Sequence, residues 1–309
     1  MRFFAAASSY LGIDAFLCRL FYRYMHIFST VTAIRQHLAD IRREGRTVGF
    51  APTMGALHDG HLALVELSKK AGHYTVASIF VNPAQFNDPK DLEKYPRTPE
   101  RDAALLDGAS CDALLMPPVE EIYPPGQDLT LHLDFGPLAN VMEGRFRPGH
   151  FGGMATVVKR LLDIVQPDAL FMGQKDYQQL SIVREMLRLL ELPVELIMCP
   201  TLRESDGLAM SSRNVRLTPE MRAVSPVIFQ TLQWAKSVWG ERPAQFIEQE
   251  AVQRLTAAGL RPEYFEIVHA ITLQPVHQKG DAPFAVACTA AFAGEIRLID
   301  NLILEERTS

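Results

Sequence analysis

Apolar runs of strand length alternate with helical stripes up to about residue 200. That alternation predicts an α/β fold, a parallel sheet covered on both faces through right-handed βαβ crossovers. Beyond it, two helical stretches and two strand-like runs predict a second, smaller α+β domain, for which 309 residues leave ample room. Hydrophobic residues make up 48% and charged residues 22%, the balance of a folded chain rather than a disordered one.

Residues 1–24 stand apart. They hold three Arg and one Asp, with Phe16, Leu17, Leu20, Phe21 and Tyr24 at helical spacing. The small residues AAASS come before the apolar part, the wrong order for a secretory signal. A transit peptide fits the segment, as does a dispensable appendage ahead of a working start at Met25. From there, Val31, Ile34, Leu38 and Ile41 form a helical stripe over 30–44 that ends at Gly45. A buried-type strand follows (TVGFAP, 47–52), then a glycine-bearing turn and a helix closed by Gly72. Further strands are expected at 74–81, 113–116, 169–173 and 194–200, and further helices over 153–165 and 177–191. The boundary of the second domain is placed near 200–206, giving a first domain over 25–200 and a second over 201–309. In the second, helices are expected over 219–239 and 244–258 and strands at 264–269 and 284–292.

Lys and Arg total 31 against 36 Asp and Glu, a net charge of −5, which disfavours a broad nucleic-acid surface. No uncharged apolar run reaches the roughly 18–20 residues needed to span a bilayer. The four cysteines (Cys18, Cys111, Cys199, Cys288) are far apart and form no CxxC pair, which suits free thiols in a reducing, cytoplasmic setting. What remains is a soluble cytosolic enzyme, with neither nucleic acid nor membrane as an expected partner.

Chemistry concentrates where strands end. Pro52-Thr53-Met54-Gly55-Ala56-Leu57-His58-Asp59-Gly60-His61 joins the first of these strands to a helix start. Gly55 and Gly60 permit close backbone approach, and the helix start offers unpaired N–H groups to an anion. His58 and His61 are three apart and project to one side, where two imidazoles can stabilise charge on an α-phosphate during adenylyl transfer. The plainer alternative is a loop histidine beside an ordinary first-turn histidine. Met210-Ser211-Ser212-Arg213-Asn214, past Asp206-Gly207, offers two hydroxyls and a guanidinium as a triphosphate clamp, though alone it reads better as a solvated loop. In Gly173-Gln174-Lys175-Asp176-Tyr177-Gln178-Gln179, Lys175 would neutralise phosphate. Asp176 would either organise a divalent cation or cap the following helix. Val81-Asn82-Pro83-Ala84-Gln85-Phe86 places Gln85 beyond another strand, where it could fix a hydroxyl or carboxylate. Arg147-Pro148-Gly149-His150-Phe151-Gly152-Gly153 is a loop able to line a pocket.

With these five pieces in this order, the chain resembles the pantothenate synthetase (pantoate–β-alanine ligase) family of nucleotidyltransferases. The likeness runs from Met25 to the end, through Tyr95-Pro96-Arg97-Thr98 and Arg297-Leu298-Ile299-Asp300-Asn301. HxGH alone marks only the superfamily, while PTMGALHDGH, VNPAQF, RPGHF, KDYQQL and DGLAMSSRN together are far more specific. The resemblance implies a Rossmann-like ATP- and pantoate-binding domain and a C-terminal lid that keeps water from a labile intermediate. It implies that pantoate and ATP form pantoyl adenylate and pyrophosphate, and that β-alanine then displaces AMP to give pantothenate. By matching position, Met54 to His61, Gly173 to Asp176, Leu202 and Met210 to Arg213 would contact ATP, with Leu202 near the adenine. His61 would be the proton donor, with His58, Lys175, Ser211, Ser212 and Arg213 at the phosphates. Gln85 would touch pantoate and β-alanine, and Gln179 would touch pantoate. Mg²⁺ would accompany ATP, and the assembly would be a homodimer. The chain departs from the family at Gln174, where Glu is usual. Two rival readings are another HxGH nucleotidyltransferase acting on a phosphorylated acceptor, and a catalytically silent nucleotide-binding protein.

Overall fold

The computed structural model describes residues 25–86 and 92–305, so the expectations for residues 1–24 and for Cys18 lie outside it. Six parallel strands form the larger sheet: β1 (His26–Phe28), β2 (Val48–Thr53), β3 (Tyr74–Ile79), β4 (Ala113–Leu115), β5 (Ala169–Gly173) and β6 (Glu195–Cys199). Their spatial order is β1-β4-β3-β2-β5-β6. β3 and β5 therefore flank β2 on opposite sides, and the crevice where the order reverses opens beyond the carboxyl ends of β2 and β5. Ligands of such sheets bind there.

The helices follow from caps and stripes. Helix α1 (Val31–Arg43) is capped by the Thr30 hydroxyl, which accepts from the Ala33 N–H at 3.3 Å, and it buries Ile34, Leu38 and Ile41. Helices α2 (Asp59–Lys70), α3 (Pro99–Gly108), α4 (His150–Val165) and α5 (Tyr177–Leu189) cover the sheet. Gly149 precedes α4 with φ +79°, and a Cβ on Gly153 would overlap the Ala84 carbonyl. The glycines of RPGHFGG thus let α4 start sharply and press against the turn that carries Gln85.

The second sheet is antiparallel, β7 (Arg261–His269), β8 (Ala285–Ala293) and β9 (Ile296–Ile303) in that order. Helices α6 (Pro219–Val224), α7 (Val227–Val238) and α8 (Ala244–Ala257) accompany it. The two sheets have separate cores, and a smaller apolar cluster joins Met142 and Tyr177 to Tyr264, Val268, Val286 and Cys288.

Four expectations need correction. The helix expected over 219–239 is two helices, because Pro226 has no N–H to continue the ladder of α6. The helix expected from 153 starts at His150. The second sheet has a third strand, β9, and β1 and α3 are further elements. β1 is only three residues long, too short for periodicity to register.

Candidate active site

The turn after β2 is built largely from its own backbone. Gly55 takes φ +80° and Ala56 φ +51°. The fully buried Asp102, from α3, holds both ensuing N–H groups: Ala56 and Leu57 each donate to its carboxylate at 2.8 Å, and the Thr98 hydroxyl does so at 3.1 Å. Leu57 points into the core. His58 is the N-cap of α2, and its Nδ1 accepts from the Gly60 N–H at 3.2 Å while His61 Nδ1 accepts from the His58 N–H at 3.3 Å. A Cβ at Gly60 would come within 2.9 Å of the His58 ring. Since both Nδ1 atoms accept, the network assigns the proton to Nε2 in each ring, so both present an N–H donor. The ring centroids are 4.1 Å apart. Burial, then Lys175, lowers His58 to about 4, and burial, then His58 and Lys175, lowers His61 to about 3. Both imidazoles are neutral at pH 7.

The turn after β5 carries Lys175 and Asp176, whose Nζ and Oδ2 are 3.0 Å apart. Asp176 occupies the N-cap position of α5 without making a side-chain capping bond; its carboxylate turns to Lys175. Burial pushes that carboxyl up, but Lys175 and then Arg213 outweigh it and hold it below its ordinary range. Gln174 points away, its amide donating to Asn301 Oδ1 at 3.1 Å.

Beyond β3, Asn82 is almost wholly buried. Its amide donates to Gln85 Oε1 and to the Gly153 carbonyl, both at 3.2 Å, and its Oδ1 accepts from the Tyr123 hydroxyl at 2.9 Å. The Gln85 carbonyl accepts from His150 Nδ1 at 2.9 Å, and Arg147 meets the other nitrogen of that ring at 3.1 Å. The remaining wall is the 210–213 loop. It hangs from a short antiparallel stem in which Arg203 bridges Ala209 and the Met210 N–H donates to the Leu202 carbonyl at 3.0 Å. The hydroxyls of Tyr95 and Ser212 lie 3.4 Å apart.

These walls enclose a cavity of about 200 Å³, lined by Met54, His58, Gly60, His61, Gln85, Gly173, Lys175, Asp176, Gln179, Leu202 and Met210 to Arg213. A wider cavity of about 380 Å³ shares Gln85, Lys175, Ser211 and Arg213 and extends to β9. Of the residues named from the sequence, Gly55, Ala56, Leu57, Asp59 and Gln174 line neither. Sequence reasoning gave no individual role to Asn82, Tyr95, Asp102 or His150, although it read the loop holding His150 as able to line a pocket. The Asn-Pro just beyond β3 was a usable signal for Asn82; one of three acids within α3 gave none for Asp102.

A family model described as pantoate-beta-alanine ligase matches residues 26–303. A pantothenate synthetase of Porphyromonas gingivalis is 47% identical, over 91% of this chain and all of its own. One from Pseudomonas putida is 45% identical, over 92% of this chain and all of its own. The crystal structure of the Thermus thermophilus enzyme superposes with a TM-score of 0.85 at 45% identity, covering 91% of this chain and all of that one. The Francisella tularensis pantoate-beta-alanine ligase, crystallised with beta-gamma ATP and β-alanine, gives 0.77 at 32% identity, covering 92% of this chain and all of its own.

Proposed function

The chain belongs to the pantoate–β-alanine ligase family, and from that premise we propose how its cleft carries out the reaction. The enzyme joins pantoate to β-alanine at the expense of ATP. The observation that carries the residue assignments is the shared cavity. It brings two neutral imidazole donors, Lys175, Ser211, Ser212 and Arg213 beside the uncharged amides of Gln85 and Gln179.

A pantoate carboxylate oxygen attacks the α-phosphorus, the bond to the bridging oxygen breaks, and pyrophosphate leaves. Lys175, Arg213 and the two serine hydroxyls offset charge on the phosphates. His58 and His61 donate Nε2–H toward the α-phosphate and its bridging oxygen. His61 starts neutral; the charge of a bound triphosphate raises its proton affinity, so that it takes up a proton from solvent as ATP binds and then passes one to the leaving oxygen. Gln85 and Gln179 hold pantoate, with the Asn82 amide fixing the Gln85 rotamer. The amine of β-alanine, held by Gln85, then attacks the acyl carbon, the acyl–oxygen bond breaks with loss of an amine proton, and AMP departs. Met54, His58, Gly60 and His61 from the first turn and Gly173, Lys175 and Asp176 from the second line the nucleotide's part of the cleft, and Leu202 lies toward the adenine.

Mg²⁺ commonly enters such sites on the substrate's phosphates with one or two carboxylates, and Asp176 is a carboxylate suited to that part. It would neutralise phosphate charge. Residues 25–200 form the catalytic domain and 201–309 a lid, a division supported by the separate cores. The segment 1–24 is dispensable. A homodimer suits the exposed Ile27 on edge strand β1, and the free thiols of Cys111, Cys199 and Cys288 suit the cytoplasm. No helix among the described residues is long and apolar enough to cross a membrane.

The test is an amidation assay with ATP, Mg²⁺, pantoate and β-alanine, omitting each in turn. AMP release that needs both organic substrates is expected. ATP binding without AMP release would overturn the assignment in favour of a silent nucleotide-binding protein. Transfer to a phosphorylated acceptor would favour another nucleotidyltransferase.

A further inference from the structure

Strand β9 carries two neighbouring buried polar residues, Asp300 and Asn301, that the reaction chemistry leaves unused. Adjacent strand residues face opposite ways, so the two side chains reach different elements. The Asp300 carboxylate grips the Arg203 guanidinium with both oxygens, at 2.6 and 3.0 Å. Arg203 also donates to the Gly207 carbonyl at 3.1 Å and lies over the Phe229 ring at 3.7 Å. Arg203 belongs to the stem from which the 210–213 loop hangs, so fixing it fixes that loop.

Asn301 reaches the turn after β5. Its amide donates to the carbonyls of Gln174 and Lys175, both at 2.9 Å, and its Oδ1 accepts from Gln174 Nε2. The Asn301 backbone N–H donates to Asp300 Oδ1 at 2.8 Å, which ties the two grips together. With both amide hydrogens of Asn301 committed, its oxygen needs a donor. Gln174 supplies one and a Glu carboxylate could not, which gives the departure at 174 a physical reason.

We propose that Asp300 and Asn301 are positioning residues that together set the spacing between Lys175 and the Ser211–Arg213 loop, the two sides of the triphosphate site. The proposal rests on the nucleotide-binding part of the function given above. Asn301 acts through Lys175, and Asp300 acts through Arg203.

The experiment uses the full chain with Asn301→Ala, Lys175→Ala and the double variant. Three quantities are read: binding of a non-hydrolysable ATP analogue with Mg²⁺ by calorimetry, ATP-dependent adenylate formation, and pantothenate formation from supplied pantoyl adenylate. Asn301→Ala removes the amide's bonds to two carbonyls and should weaken analogue binding and slow adenylate formation about tenfold. The step from supplied adenylate and the KM for β-alanine should hold. Added to Lys175→Ala, it should cost little further, because the residue through which it acts is already gone. A lowered melting temperature with unchanged analogue binding, or losses that add in full, would overturn the proposal. Should Asn301→Ala not fold, Asn301→Asp and Gln174→Ala decide the same comparison. Analogue binding is measured whether or not the wild type makes pantothenate, so failure of the ligase reading shows separately from failure of this one.

Discussion

The turns after β2 and β5 lie side by side at the reversal of strand order, yet they are held in opposite ways. The first keeps its histidines in place by bonds among His58, Gly60 and His61, with Asp102 bracing the backbone behind them. The second is tied to Asn301, on a strand of the other sheet. The difference teaches that one phosphate-binding element is braced from within its own domain, by Asp102 of α3, whereas the other is braced from β9 of the second sheet.

Four variants or conditions test how far this contrast goes. The largest effect is expected from His61→Ala, which should cut adenylate formation by about two to four orders of magnitude while folding and ATP binding persist. Near-normal turnover in a pyrophosphate-exchange assay would remove His61 from the chemistry. Next is Asp102→Ala, which strands the buried Leu57 N–H at about 1–3 kcal/mol and frees the half-buried Ala56 N–H, and should lower the melting temperature and raise the KM for ATP. An unchanged KM would mean that the first turn needs no brace at all.

A smaller effect concerns pH. His58 and His61 stay neutral in the free enzyme down to about 4 and about 3, so kcat/KM for ATP should show no inflection near the ordinary histidine value of about 6.5. An inflection there would mean that both rings are solvated. The same shifts, with that of His150 to about 4, act on stability. Below about 6.5 the unfolded chain binds protons that the folded one refuses until about 4, so melting temperature should fall as pH drops through that window. The smallest effect, none, is expected on stability and turnover from deleting residues 1–24; a large loss of either would make the segment structural.

The parts legible in the sequence were those whose cause is local. The Val31–Ile41 stripe, the buried strands and the glycine-bearing turn between β2 and α2 each follow from neighbours a few residues apart. So does the pairing of His58 with His61 on one opening turn. Asp102 was not legible, because beside Glu100 it looks like any first-turn acid of α3 until its partners at Ala56 and Leu57 are seen. The break at Pro226 was legible in principle, since proline ends the ladder on chemical grounds, but the apolar pattern runs on across it.

Sequence alone determined the chemistry available: two histidines at a strand-to-helix turn, a lysine after another strand, a Ser-Ser-Arg loop and uncharged amides beside them. Tertiary structure alone decided their arrangement. Strand order set β2 beside β5, burial left the imidazoles neutral, and the opposite facing of Asp300 and Asn301 tied two distant loops to one strand. Residue types and short spacings are written along the chain, whereas desolvation and long-range hydrogen bonds exist only once remote segments have packed.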